Sequence, residues 1–266
     1  MKTIAQSILI LLLVSFSTPQ NENKFELITH IFTKAKNIKT DNFGNLYVIT
    51  VSNQLYKYGR NGTLLSTLNY NYNGNISSID VTNPLQLVVL YKELNKVIIL
   101  DNNLAYRGEI DLTKAGIIQA SAAARCYDNN IWVFDMGDLQ LKKVNLNSEI
   151  EQTSGNIKQY TNNQIAVNFI TDNGTNVFAL DSINGVLVFD VFGSYKKTIP
   201  LINLNELKVL DKYFFYIHDV KLNRYNTQTT LLNKYSLPDT NNILNFSIEK
   251  ERLYLLKTDT ISIYSY

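Results

Sequence analysis

Six polar side chains follow a repeated apolar strand, and their spacing suggests that they share a site. Each lies three residues after an apolar or aromatic position that recurs about every 40 residues: Thr50, Tyr91, Asp135, Asp181, His218 and Lys257. If the strands form a ring, these hydrogen-bonding groups predict a polar binding ring at one face or at a channel mouth. Asp135 and Asp181 would then offer the carboxylate oxygens that calcium prefers. The alternative interpretation is that all six residues belong to polar turns and form local hydrogen bonds.

Alternating tyrosine and asparagine residues form a second candidate binding feature. The segment 69–74 reads Asn-Tyr-Asn-Tyr-Asn-Gly and connects the first two repeats. Tyrosine is enriched at protein interfaces, so one interpretation makes Tyr70 and Tyr72 a recognition loop. In the other, the segment extends the last strand of the first repeat and packs one face. The predicted interaction residues are therefore Tyr70, Tyr72, Tyr91, Asp135, Asp181 and Lys257.

The residues required by common catalytic and metal centres are scarce in this chain. It contains two histidines, His30 and His218, and one cysteine, Cys126. It has no glycine-rich phosphate loop and no Gly-x-Ser-x-Gly elbow. Acidic residues recur at the turn before five of the six repeated strands, which indicates turn geometry rather than catalysis: Asp41, Asp128, Asp172, Asp211 and Glu249. We therefore expect no catalytic residue, no cofactor, no metal site and no enzymatic activity.

The N-terminal residues have the pattern of a secretory signal peptide. Lys2 precedes an apolar run over 8–14, and Ser15 and Ser17 supply small residues for cleavage. The run is shorter than the roughly 20 residues of a membrane span. We expect a signal peptide over 1–20 and a single domain over 21–266. Secretion without a possible intrachain disulfide favours a bacterial periplasm.

The charge balance argues against nucleic acid as a partner. Lysine and arginine number 25 and aspartate and glutamate 23, for a formal net charge of +2. Nucleic-acid-binding domains carry a clear basic excess.

A short β-branched or aromatic strand after an Asn/Asp/Gly turn organises the whole chain. Its six copies begin at Leu46, Leu87, Ile131, Val177, Phe214 and Leu253. A period near 40 residues with several strands per unit is typical of a β-propeller. We predict an all-β, six-bladed β-propeller. The best candidate for a helix is the segment 111–124. The alternative is that this segment is a loop with one helical turn.

The last repeat ends one strand early, and the N-terminus supplies a candidate for the missing strand. The chain stops at Tyr266 after a third strand, while the stretch from Phe25 to Phe32 belongs to no repeat. Adding that stretch to the last blade closes the ring and removes an exposed sheet edge. The alternative is an open β-sandwich, which does not require the repeat.

Several phrases resemble known propeller families. Segment 41–48, Asp-Asn-Phe-Gly-Asn-Leu-Tyr-Val, is similar to NHL and TolB-like six-bladed propellers. Five further stretches, within 83–92, 100–104, 127–135, 188–200 and 249–253, resemble small periplasmic propellers of Gram-negative bacteria with the type 9 secretion system. One such propeller is the plug subunit of that system's outer-membrane translocon.

The resemblance implies a non-enzymatic protein that is monomeric on its own. It would be held at the outer membrane by a β-barrel translocon protein, without spanning the membrane itself, and would block the periplasmic mouth when no substrate is in transit. No docking residue can be assigned from the resemblance. The competing interpretation is a small-molecule-binding, hydrolytic or lyase propeller of the gluconolactonase or NHL type.

Overall fold

The computed structural model describes residues 25–68, 74–161 and 164–266. Within these ranges the chain forms six four-stranded antiparallel sheets, the blades. Blade 1 contains β2 (Ala35–Thr40), β3 (Leu46–Thr50), β4 (Leu55–Tyr58) and β5 (Leu64–Thr67). Blade 2 contains β6 (Ser78–Asp80), β7 (Leu87–Tyr91), β8 (Lys96–Leu100) and β9 (Tyr106–Asp111). Blade 3 contains β10 (Ala120–Arg125), β11 (Ile131–Asp135), β12 (Gln140–Val144) and β13 (Ile150–Thr153).

The second half of the chain repeats the same meander. Blade 4 contains β14 (Val167–Asp172), β15 (Asn176–Asp181), β16 (Gly185–Asp190) and β17 (Tyr195–Ile199). Blade 5 contains β18 (Lys208–Leu210), β19 (Tyr213–His218), β20 (Lys221–Asn226) and β21 (Leu232–Ser236). Blade 6 contains β22 (Asn245–Glu249), β23 (Arg252–Leu256), β24 (Thr260–Ser265) and the N-terminal β1 (Glu26–Phe32). Two short 3₁₀ helices cover Lys92–Leu94 and Ile157–Tyr160.

A hydrophobic cluster fills each junction between neighbouring blades, so the sheets form a closed ring. There are six such clusters among the described residues, and the one between blades 6 and 1 joins Ile261 and Ile263 to Ile38 and Val48. The chain is therefore a six-bladed β-propeller, as the repeat predicts, and the open-sandwich alternative is wrong. We call the four strands of each blade a to d from the centre outward.

The b strands read as continuous apolar runs because a neighbouring blade covers each of their two faces. On β11, Trp132 and Phe134 pack toward blade 4, while Ile131 and Val133 pack toward blade 2. Gly193 of blade 4, with φ of 82°, lies against the Trp132 ring, where an added Cβ would sit 3.3 Å from it. Both faces of the strand thus contribute to the core.

The N-terminal strand closes the last blade, as the sequence predicts. Strand β1 pairs antiparallel with β24, so that His30 lies opposite Ser262 and Phe32 opposite Thr260. His30 Nδ1 and Ser262 Oγ are 3.1 Å apart. Both ends of the described chain are therefore held in one sheet.

The helical candidate at 111–124 is not a helix. Strand β9 ends at Asp111, a turn follows in which the Asp111 carboxylate accepts from the Lys114 amide, and β10 begins at Ala120. The alanines of β10 lie on an inner strand and pack into the clusters on both sides of blade 3. Sheet pairing there overrides their helix propensity. In the described part of the chain, no helix is long and apolar enough to cross a membrane.

Candidate functional site

The a strands converge on a central cavity of about 490 Å³, to which all six blades contribute. It opens at the face that carries the a–b turns, which we call the a–b face. The opposite face, with the b–c turns and the connections between blades, is the b–c face. Because a strands are the innermost, their side chains decide what this cavity can hold.

Lys39 spans the centre of the ring at the floor of the cavity. Its ammonium pairs with Glu206, which precedes blade 5. It also lies 4.4 Å from the centre of the Phe169 ring on blade 4, directly across the ring from blade 1. Asn245 of blade 6 donates to the other Glu206 oxygen at 3.3 Å. One lysine therefore connects opposite sides of the propeller.

A second ion pair lies beside it and is tied to two hydroxyl groups. Lys208 pairs with Glu249 and donates to the Thr40 carbonyl oxygen at 2.7 Å. The Thr40 and Ser247 hydroxyls are 2.6 Å apart. Burial lowers the pKa of Lys208 and raises that of Glu249, and the attraction between the two charges opposes both shifts. Each charge thus depends on the other, because an unpaired buried charge is costly.

Asp80 is the third acidic group in the cavity wall, and main-chain and hydroxyl donors satisfy it. It accepts from the Thr82 amide at 2.9 Å, the Thr82 hydroxyl at 3.2 Å and the Arg125 amide at 2.7 Å. Burial raises the pKa of Asp80, and these hydrogen bonds oppose that shift. Asp80 therefore links blades 2 and 3 at the cavity wall.

The polar residues after the b strands lie on the b–c face, away from the central cavity. Thr50, Tyr91, Asp135 and Asp181 are buried, Lys257 is partly buried, and His218 is exposed. Asp135 accepts from the amides of Ile118, Gln119 and Gly137 and pairs with Lys142 at 2.8 Å.

Asp181 has a similar environment, with bonds from the amides of Ala166, Ile183 and Asn184. These are local contacts of the kind that the turn interpretation predicts. Among the described residues, no group of three or more His, Cys, Asp or Glu side chains is arranged to hold a metal ion.

The remaining predicted interaction residues differ in accessibility. Tyr91 belongs to the core cluster between blades 1 and 2, and burial raises its pKa to about 12. Lys257 pairs with Asp239 in the connection before blade 6. Tyr70 and Tyr72 lie outside the described residues, although the adjoining Gly74 carbonyl accepts from Asn53 in the b–c turn of blade 1. Gly74 itself therefore lies at the b–c face.

Three of the recurrent turn acids, Asp41, Asp128 and Asp172, accept hydrogen bonds from amides of their own turns. Glu249 instead ends β22 and pairs with Lys208 in the central cavity. Asp41 accepts from the amides of Phe43 and Asn45. Asp172 accepts from the Gly174 amide in its own turn and from Trp132 Nε1 of blade 3 at 3.1 Å. Cys126 is buried, and burial raises the pKa of its thiol to about 12, so the thiol stays protonated at neutral pH.

Sequence reasoning did not identify the central network. Its members, Lys39, Glu206, Lys208 and Glu249, come from the a strands or the segment just before one, whereas the sequence alignment of the repeats used the b strands. An alignment of the repeats on the residues just before each a–b turn would have placed Lys39 and Ser247 at the same position.

Comparison with known proteins supports the fold. No family model matches the sequence, and no curated protein matches it. Solved structures with similar folds include the Neurospora crassa Pan2 WD40 domain, with a TM-score of 0.65 and 11% identity over 91% of this chain and 95% of that one.

Two lyase structures are similar to a comparable degree. A streptogramin B lyase has a TM-score of 0.63 and 10% identity, covering 91% of this chain and 96% of its own. A catalytically inactive virginiamycin B lyase from Staphylococcus aureus, solved with quinupristin, has a TM-score of 0.64 and 12% identity, covering 91% of this chain and all of its own. A WD40 domain and lyases thus share this fold, and at such identities the likeness shows the fold alone. The chain is a six-bladed β-propeller.

Proposed function

We propose that this protein is a non-enzymatic periplasmic interaction subunit that plugs an outer-membrane protein-secretion channel of the type 9 kind. A six-bladed propeller fits a protein-interaction role, because its ring is rigid and offers two broad faces. The partner is an outer-membrane β-barrel translocon protein, and the propeller docks at its periplasmic mouth. The sequence resemblance motivates the choice of partner.

The observation that carries the proposal is the spanned centre of the disc. A plug must not leak through its own axis. Lys39 reaches from blade 1 to Phe169 on the opposite blade and to Glu206 before blade 5, so side chains cross the axis. Lys208 closes a further part of the centre by joining Thr40 to Glu249.

The closed circumference supports the same function. Six apolar junctions and the β1–β24 ladder leave the ring without an open seam in the described residues. A disc closed in this way resists local opening, because unpairing any blade disrupts two junctions. Occlusion then requires only shape and reversible docking, with no bond-making step.

Either face offers exposed apolar side chains for docking. On the b–c face, Val51 is 62% exposed and Ile118 67%. On the a–b face, Leu85 is 75% exposed and Phe192 64%. Pairs of aspartate substitutions on each face therefore form matched tests, since a charge buried at an interface is costly.

The test is affinity purification from the cell envelope. A tag joined by a flexible linker after Tyr266 avoids the predicted signal peptide. We expect an outer-membrane barrel protein to co-purify, and we expect deletion of the protein to increase uptake of a large antibiotic such as vancomycin.

The paired variants locate the docking face. Either Val51→Asp with Ile118→Asp, or Leu85→Asp with Phe192→Asp, should abolish co-purification and raise uptake, while the other pair behaves as wild type and both pairs fold by circular dichroism. No co-purifying barrel together with unchanged permeability in the deletion strain would refute the plug.

A further inference from the structure

The central cavity has the size and lining of a small-molecule site, which the plug function does not use. Its volume of about 490 Å³ lies within the range of roughly 300–1,000 Å³ that is typical of ligand pockets. Polar groups from several blades reach it, including Lys39, Thr171, Lys208 and Ser247. It opens to solvent at the a–b face.

The charges at its floor are neutralised in pairs. Lys39 is paired with Glu206, and Lys208 with Glu249. A charged ligand would have to displace one member of a largely buried pair and leave its partner unpaired, which costs several kcal/mol. Charged ligands are therefore disfavoured at the floor.

The charges nearer the rim are also engaged or solvated. Both Asp172 oxygens accept hydrogen bonds, one from the Gly174 amide and the other from Trp132 Nε1. Arg125 donates to the Gln86 side chain at 3.0 Å. Asp211 is exposed to solvent.

A purely apolar ligand is disfavoured for the opposite reason. It would remove water from ammonium, carboxylate and hydroxyl groups without replacing the lost hydrogen bonds. A ligand hydroxyl avoids both costs, because it donates to a carboxylate and accepts from the adjacent ammonium while leaving the pair intact.

Aromatic and aliphatic side chains supply the other half of the lining. Phe169 lies beneath Lys39, Leu210 and Val81 contribute aliphatic wall, and Tyr127 stands at the rim with 47% of its surface exposed. Such surfaces match the C–H faces of a sugar ring, whose hydroxyls point to its edges. Pockets with apolar walls and a few placed polar groups are typical of specific small-molecule sites.

From this lining we propose that the central cavity binds a neutral saccharide of one or two rings, with its hydroxyls held by the Lys39–Glu206 and Lys208–Glu249 pairs. Binding involves no covalent step. Binding in the cavity is independent of docking on a secretion channel.

The test is a titration of the mature protein with defined sugars, followed by ligand-observed NMR and calorimetry. The neutral probes are maltose, cellobiose, lactose and N,N′-diacetylchitobiose, and the charged probes are glucuronic acid and glucosamine. We expect at least one neutral disaccharide to bind saturably and both charged sugars to bind more weakly. Saturable binding of a charged sugar more tightly than every neutral one, or no saturable binding of any neutral sugar, would overturn the proposal.

Matched variants assign the binding to the cavity. Lys39→Met removes the ammonium at the floor and should weaken binding at least tenfold, because a hydrogen bond to a charged group is lost. Lys197→Met makes the same change on the exposed strand β17, outside the cavity, and should bind as wild type. If Lys39→Met does not fold by circular dichroism, Thr171→Val and Ser247→Ala serve instead, each with weaker binding expected. Unchanged affinity in the folded cavity variants would place the sugar elsewhere and refute the assignment.

Discussion

Ring closure by the N-terminal strand predicts a specific pattern of stability along that strand. Six residues of β1 have register partners on β24. Ile31 is the buried apolar residue of this strand, with 8% of its surface exposed, and it belongs to the cluster between blades 6 and 1. Ile28 lies on the same strand and is 40% exposed. Comparing the stability of variants at the two isoleucines therefore distinguishes loss of packing at the junction from a general effect of changing the strand.

The burial of Ile31 determines how much stability its truncation should cost. Truncating a core isoleucine to alanine costs about 2–5 kcal/mol. Ile31 lies at the margin of its cluster, so we expect the lower end, about 2 kcal/mol for Ile31→Ala. In a domain of this size each kcal/mol shifts the midpoint by about 2–4 °C, which gives a decrease of about 4–8 °C. The control Ile28→Ala should stay within about 0.5 kcal/mol of wild type.

The assay is thermal and urea unfolding of the mature protein followed by circular dichroism. Deleting residues 21–33 is the larger perturbation, since it leaves β24 as an unpaired edge with Ile261 and Ile263 beside it. That variant should aggregate or unfold at a markedly lower temperature. Equal midpoints for Ile31→Ala and Ile28→Ala, together with a deletion variant as stable as the intact protein, would refute the closure argument.

Three further predictions concern one core side chain and two ion pairs. Trp132→Ala should cost about 3–5 kcal/mol in urea unfolding, because the ring is fully buried, whereas Trp132→Phe should cost clearly less; near-wild-type stability of the alanine variant would contradict a core role. Lys208→Met should destabilise by about 3 kcal/mol because it leaves the buried Glu249 unpaired, and adding Glu249→Met should restore most of the loss; a double variant no better than the single one would contradict this pairing. Burial alone would raise the pKa of Asp128, but the hydrogen bonds from Lys143, Cys126 and the Asn130 amide, together with the Lys143 charge, outweigh it, so the folded pKa lies below the ordinary value. The stability from Asp128 is therefore complete above about pH 4 and is lost as pH falls further, and Asp128→Asn should flatten that fall in acid unfolding curves; an unchanged slope would count against it.

The blades could be predicted from sequence because their b strands are covered on both faces. That environment demands apolar residues at every position, and runs such as 131–134 recur for that reason. The closing strand could be predicted by counting, since a ring with one strand missing leaves an open edge. The segment 111–124 was harder, because alanines on an inner strand give no alternation of polar and apolar residues.

The central site could not be predicted in the same way, because its partners are far apart in sequence and differ from blade to blade. Lys39 and Glu206 are 167 residues apart, and Thr40 and Ser247 are 207 apart. No periodic pattern connects a lysine in one blade with a glutamate before another. The repeat predicts where the a strands meet, and only the assembled ring determines which side chains face each other there.

The same asymmetry would let one ring serve both the proposed sealing and the proposed binding of a saccharide. The junctions between blades are built from residues that every repeat must supply, so they set the stability of the disc. The a-strand side chains need only fit around the shared axis, and each blade contributes a different one: Lys39, Asp80, Arg125, Thr171, Lys208 and Ser247. A conservative change of one of these polar residues would alter the ligand preference proposed for the cavity and leave the six apolar junctions intact. The ion pairs limit such changes. Replacing Lys208 or Glu249 alone leaves the other charge unpaired and destabilises the fold, so the two residues can change only together. On the proposed function of the cavity, stability and recognition would therefore depend on largely separate sets of residues, and among the described residues the two ion pairs belong to both sets.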